Sequence, residues 1–364
     1  MRAARNLVIV NSVYQLLTAV HMRRSLLGGI PSDLVVTDVT PDFQERVPRI
    51  RELGLFDRVL EARVRELNRT YGLAKEKELT EGFWRAESHL RFCLSQELED
   101  YSAVYFSNFD IFTRMLACRY AEEACEFICY EDGFSTYVID YLRQDRALVN
   151  RHPQGSLLAG KVKEVLLYEP RLAMRGDKLP NRPLPKISPE DRKLVELLNY
   201  IFDYKSPRQE ARFLFLEQSF RAEGIATNDL ELMGICRDAV GQENFLVKPH
   251  PRNPENLPWK LGLSRRYESR VPWELLLLNE GARGITLLTV CSNAALTGRL
   301  VFGLDMNTVM LYRLFQGKVL WKEDPVLQRY LRKFQSQFAG EHYYVPRTIY
   351  ELERILDYLG GKHE

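Results

Sequence analysis

The chain has 364 residues, with 51 Lys and Arg against 49 Asp and Glu, so its formal net charge is +2; 45% of it is hydrophobic, 11% aromatic and 27% charged. That is the make-up of an ordinary globular protein of about two domains, and the near-neutral balance removes the long-range attraction a dedicated nucleic-acid binder uses. The six cysteines contain no C-x-x-C pair, which argues against a zinc site or a disulfide scaffold. The apolar run Leu7–Val10 is too short for a signal-peptide core, and the longest apolar tract, Ile285 to Leu304, is interrupted by Asn293 and Arg299. The reading is a soluble cytoplasmic protein with reduced thiols.

In chain order, Asn6-Leu-Val-Ile-Val10 predicts a strand that ends in the polar pair Asn11-Ser12, and apolar spacing through Tyr14, Leu17, Val20 and Met22 predicts a helix. A second buried strand is read at 33–38, an amphipathic helix at 43–53, a polar helix at about 80–100, a strand at 103–106, a helix at about 110–123 and a strand at 126–130. Apolar strands separated by helices imply a parallel sheet covered on both faces. Between about 168 and 190, five prolines disfavour helix and central strand, which marks an interdomain connection.

A second alternating series follows, with strands at 212–216, 244–248 and 284–290 and helices at about 189–203, 228–240, 273–279, 294–298 and 349–359. The expectation is two Rossmann-like domains, 1–185 and 186–364, facing each other across a cleft. Ligands of open α/β sheets bind beyond the carboxyl ends of the strands. That rule selects Asn11–Gln15, Glu131–Gly133, Glu217–Asp229, Lys248–Arg252 and Thr289–Asn293.

Glu131-Asp132-Gly133 sets two carboxylates beside a glycine, and one of them can take a proton from an incoming hydroxyl; the plain alternative is an acidic helix-capping turn. In Lys248-Pro-His-Pro-Arg252 two prolines stiffen the chain around His250, so a rigid imidazole stands between cations, which suits phosphate binding; the plain alternative is a surface proline-rich loop with an incidental histidine. Thr289-Val-Cys-Ser-Asn293 precedes a helix, and Ser292 or Asn293 can cap it while its first amides hold phosphate oxygens. Asn11 and Gln15 open the first helix as substrate contacts or caps, and Asp229, in the first turn of its helix, is a further candidate base. A phosphate loop, a dinucleotide fingerprint, a G-x-S-x-G elbow and a D-x-D pair are all absent, leaving metal-independent group transfer from a nucleotide-activated donor.

Asn11-Ser-Val-Tyr-Gln-Leu-Leu-Thr18, Tyr130-Glu-Asp-Gly133, Lys248-Pro-His-Pro-Arg252 and Cys291-Ser292, in this order, resemble the lipooligosaccharide-type bacterial sialyltransferases of glycosyltransferase family 52 and the related polysialyltransferases. The resemblance implies a GT-B fold and inverting transfer of sialic acid from CMP-sialic acid, without a metal or other cofactor, to a glycan or glycolipid acceptor such as a terminal galactose. It implies that Glu131, Asp229 or Asp132, in that order of preference, activates the acceptor. His250 would stabilise or protonate the departing phosphate, and Ser292, with Lys248, Arg252, Thr289 and Asn293, would hold the donor. Asn11, Gln15 and Gly133 would contact substrate. A homodimer and peripheral membrane association are further expectations, the latter through Arg2, Arg5, Arg23, Arg24, Arg265, Arg266 and Arg270. The departure from the family pattern is Cys291 and Asn293 around Ser292, where hydroxyl residues are more usual. A hexosyltransferase, a polyol-phosphate transferase and an inactive binding protein of similar fold remain alternatives.

Overall fold

The computed structural model describes residues 4–206, 211–250, 252–267, 271–281, 284–318 and 325–361. Arg2, Pro251 and Arg270 lie outside the described residues. The chain divides into two compact units, one formed by residues up to Pro185 with Arg192–Asp203, the other by Lys186–Asp191 with the chain from Tyr204 onward. The division is therefore not a single cut at 185/186, because the helix Arg192–Phe202 belongs to the first unit, where the Tyr200 carbonyl accepts from Arg49 at 2.9 Å.

The first unit is built on β1 (Asn6–Val10), β2 (Ser32–Thr37), β3 (Arg58–Ala62), β4 (Ala103–Phe106), β5 (Glu126–Tyr130), β6 (Val162–Leu167) and β7 (Asn181–Pro183). They form one parallel sheet in the order β3-β2-β1-β4-β5-β6-β7. β1 and β2 are buried at every position, as expected of central parallel strands covered on both faces. The helix Val13–Ser25 is buried continuously from Gln15 to Met22, so a stripe pattern understates how deeply it is enclosed.

The second unit carries β8 (Phe213–Leu216), β9 (Phe245–Lys248), β10 (Thr286–Thr289), β11 (Thr308–Met310) and β12 (Tyr343–Tyr344), again all parallel, in the order β12-β11-β10-β8-β9. Each sheet reverses the direction of strand addition once. In the first unit this switch point lies between β1 and β4, and in the second between β8 and β10.

Two elements depart from the sequence reading. The polar helix expected at about 80–100 is two helices, Glu76–Trp84 and Ala86–Cys93, broken at Arg85; Leu94 is extended and bridges Ala62 in antiparallel fashion. The proline-rich stretch is not a bare connection, since it contains β7. Pro183 is tolerated because β7 is an edge strand with a single neighbour, and the missing amide breaks no ladder bond on the open side.

Candidate active site

Strand register gathers the carboxyl ends of the first sheet into one row. Val10 aligns with Val36, Val8 with Tyr105, Phe106 with Cys129 and Tyr130 with Leu166, so Asn11, Ser107–Asn108, Glu131–Asp132 and Tyr168 emerge along the same edge. Ser12 caps the first helix, accepting the Gln15 amide at 3.2 Å, which brings Gln15 back over the end of β1. Asn11 spans the switch point: its Nδ2 donates to Asn108 Oδ1 at 2.6 Å, while its Oδ1 accepts from the Thr37 hydroxyl at 2.5 Å. Gln15 Nε2 donates to the same Asn108 oxygen at 2.8 Å, and Gln15 Oε1 accepts the Asn11 amide at 2.8 Å.

The two acidic residues that follow β5 have different surroundings. Glu131 is 1% exposed. Its Oε1 accepts from the Tyr14 hydroxyl at 2.8 Å, and its Oε2 accepts from the Tyr137 hydroxyl and, at 2.8 Å, from the Tyr168 amide. Burial pushes the carboxyl up from the ordinary 4.5 to about 7, against the pull of these donors. Asp132 is part-exposed, and its carboxyl is raised by burial and lowered by a hydrogen bond from the Gln15 side chain. Gly133 has φ +79, so it turns the chain sharply away from the strand; the residue is buried and shapes the turn.

In the second unit Leu216 aligns with Lys248 on one side and Thr289 on the other, which places Glu217–Gln218, Pro249–His250 and Val290–Ser292 along one edge. Glu217 is buried; its Oε1 pairs with Arg221 at 2.6 Å and its Oε2 accepts the His250 amide at 2.9 Å. Gln218 Oε1 accepts the Cys291 amide at 2.6 Å across the switch point between β8 and β10. His250 is half-buried, and its Nδ1 accepts the Arg252 amide at 3.2 Å. That contact assigns the proton of the neutral ring to Nε2. Burial, then the cations Arg252 and Lys248, push the imidazole down to about 4, with Glu223 opposing. An incoming phosphate would reverse this by supplying the missing negative charge.

The flanking cations are engaged within the chain. Arg252 bonds Ser219 at 2.9 Å and Glu223 at 3.2 Å, and the Lys248 ammonium lies 4.7 Å from the centre of the Tyr267 ring. Thr289 is fully buried: its hydroxyl donates to the Leu216 carbonyl at 2.9 Å and accepts the Ser292 amide at 3.2 Å, so it shapes the turn rather than offering a hydroxyl to a donor. Ser292 Oγ accepts the Ala294 amide at 3.3 Å and can still donate its own proton. Asn293 stands at the N-cap with no side-chain capping bond. The helix amides expected to hold phosphate are occupied, Ala294 by Ser292 Oγ and Ala295 by the Ser292 carbonyl. Asp229 is 4% exposed and takes the Thr227 hydroxyl, so it serves the start of its helix. Glu131 and Asp229 are both buried, whereas Asp132 keeps part of its surface exposed.

Sequence reasoning missed Asn108, Tyr137, Tyr168 and Gln218 as parts of these clusters. Asn108 was within reach of the strand-end rule, since it follows a strand that the pattern does reveal. Tyr168 was not, because Lys163 and Glu164 interrupt the apolar run of β6. Among the described residues no three His, Cys, Asp or Glu side chains gather as a group able to hold a metal ion, and no helix is long and apolar enough to cross a membrane.

No protein-family model matches the chain, and no curated protein does. Solved structures share its architecture. An α/β-galactoside α-2,3-sialyltransferase from the luminous marine bacterium Photobacterium phosphoreum aligns with a TM-score of 0.51 and 8% identity over 97% of this chain and 100% of its own. UGT2 of Phytolacca americana, complexed with UDP-2fluoro-glucose and pterostilbene, aligns with a TM-score of 0.53 and 11% identity over 100% and 92%. UGT89C1 of Arabidopsis thaliana, complexed with UDP-L-rhamnose, gives 0.53 and 10% over 100% and 91%. The chain has the GT-B fold, an α/β architecture with two parallel sheets.

Proposed function

We propose that the chain is an inverting, metal-independent glycosyltransferase that moves sialic acid from CMP-sialic acid to a terminal sugar hydroxyl, galactose foremost, of a cell-surface glycan or lipooligosaccharide. The observation that carries this reading is the His250 turn: an imidazole whose Nδ1 is held by the Arg252 amide, so that Nε2 carries the proton, on the same carboxyl edge of the second sheet as Ser292. The ordered motif set supports a CMP-linked donor.

In the reaction the acceptor oxygen attacks the anomeric carbon and its proton passes to Asp132. The bond from that carbon to the phosphate oxygen breaks, and its electron pair stays on CMP, where the His250 Nε2–H and the Ser292 hydroxyl hold the growing charge. We give Asp132 the base role ahead of Glu131 and Asp229, preferred on sequence, because it keeps part of its surface exposed while both of those are buried. The expected site of action is the cytoplasm, at the membrane face where lipid-linked acceptors lie.

Purified protein given CMP-sialic acid and lactose, with and without EDTA, should release CMP and form a product heavier than lactose by one sialyl residue in both cases. Loss of turnover with EDTA would remove metal independence. A second reading, hexosyl transfer from a UDP-sugar, draws on the UDP-sugar complexes that share the fold. It replaces the first if UDP-hexose is consumed and CMP-sialic acid is not. A polyol-phosphate transferase would show itself by product mass, and a binding protein by the absence of any turnover.

A further inference from the structure

We propose that Gln15 and Asn108 are positioning residues that aim and tune Asp132, rather than the substrate contacts that the place of Gln15 at the first strand end implies. This rests on the reading of Asp132 as the base. One group in the cluster has a single chemical option. The Asn11 backbone amide can only donate, and it lies 2.8 Å from the Gln15 side-chain oxygen. The Gln15 carbonyl must therefore face Asn11, and its amino group is turned toward Asn108 and Asp132.

The same logic fixes Asn11. The Gln15 amino group needs an acceptor, so Asn108 presents Oδ1; the Asn11 atom 2.6 Å from that oxygen is therefore the donor Nδ2, and Asn11 Oδ1 is left to accept from the Thr37 hydroxyl at 2.5 Å. Asn108 Oδ1 thus receives two donors, at 2.6 and 2.8 Å, and pins one of the two protons of Gln15 Nε2. The other proton is left for the Asp132 carboxylate. All the hydrogen-bonding capacity of Gln15 is spent within the protein, and Gln15 is 1% exposed, so it has nothing left with which to hold a sugar. Asn108 follows β4 and Gln15 lies in the first helix after β1, so the relay reaches the base from the opposite side of the switch point.

The groups that face Asp132 electrostatically are Glu131, Tyr130 and Cys129 from its own strand end and Tyr141 from the segment beyond. None is a cation, which leaves the Gln15 donor as the group that favours the charged form. Removing it should move the Asp132 titration to higher pH by about one unit, the size of one hydrogen bond to a charged group.

The test is a pH titration of the Asp132 side-chain carboxyl by carbon-13 NMR, assigned by its loss in Asp132→Asn, in the wild type and in Gln15→Leu and Asn108→Ala. The wild type and both variants are then assayed for CMP release from CMP-sialic acid with lactose. The proposal expects an upward shift in both variants, larger for Gln15→Leu, with the acid limb of kcat/KM moving in step and the KM for CMP-sialic acid unchanged. Unchanged titration in both folded variants overturns it. Should Asn108→Ala fail to fold, Gln15→Leu alone decides. Full activity of Asp132→Asn instead overturns the base assignment, and the NMR result still stands or falls by itself.

Discussion

The carboxyl edges of the two sheets meet the same problem with opposite chemistry. At each switch point a side-chain amide ties the diverging strand ends together, Asn11 to Asn108 in the first unit and Gln218 to the Cys291 backbone in the second. The first edge then surrounds carboxyls with burial that resists their charging, and Glu131 is pushed up to about 7. The second surrounds an imidazole with cations and burial that resist its charging, and His250 is pushed down to about 4. One edge is poised to receive a proton and the other to receive an anion. In the proposed reaction this contrast puts the acceptor's chemistry in the first unit and the leaving group's in the second.

Removing the base should have the largest effect. Asp132→Asn keeps the shape of the side chain and abolishes proton acceptance, so kcat should fall by about 10²–10⁴ with little change in the affinity for CMP. A variant with weakened CMP binding and normal kcat would invert the comparison. His250→Ala should cost about 10²–10³ in kcat, the cost of losing one oriented donor to a developing charge, and should also weaken CMP. In the wild type, CMP should raise the His250 titration from near 4 toward neutrality, read from its imidazole NMR signals. Equal titration with and without CMP would mean that phosphate does not lie there.

Glu131 sharpens the comparison through stability rather than rate. Its carboxyl binds the proton more tightly in the folded chain, about 7 against an ordinary 4.5, so its contribution is fully present below about 4.5 and is lost as pH rises through about 7. Over that window the loss is on the order of 3 kcal/mol. Glu131→Gln cannot charge, and the difference in urea-unfolding free energy between pH 5 and pH 8 should shrink by that amount. An undiminished difference would show that the tyrosine cage holds Glu131 charged throughout.

The strands that pattern reading found, such as Asn6–Val10 and Glu126–Tyr130, are central ones whose faces are both covered, so burial wrote an unbroken apolar run into them. Of those it missed, Arg58–Ala62, Asn181–Pro183 and Tyr343–Tyr344 lie at sheet edges where one side is open and charge or proline is tolerated, and Val162–Leu167 is an inner strand whose apolar run is broken by Lys163 and Glu164. Thr308–Met310 is too short to show a pattern. At the candidate site the strand-end rule found where side chains converge, because that is a property of topology. It could not rank Glu131 against Asp132, since one residue of sequence separates a side chain caged by Tyr14 and Tyr137 from one that is only part-buried. The three tyrosine-derived donors on Glu131 come from residues 14, 137 and 168, and only folding brings them together.

The smallest effect concerns Cys291, which stands where a hydroxyl residue is more usual in the resembled family. The side chain is 2% exposed, and burial pushes the thiol up to about 12. What this position gives the site is its backbone amide, held by Gln218, and that contact does not depend on the side chain. Cys291→Ser would place a hydroxyl in an apolar setting and should lower stability by about 1–2 kcal/mol, measured by thermal or urea unfolding. CMP affinity should stay as it was, because the new hydroxyl points inward while Ser292 remains the donor at the edge. A gain in CMP affinity in Cys291→Ser would show that position 291 reaches the phosphate, and the second edge would then hold its anion with two hydroxyls rather than with Ser292 and His250.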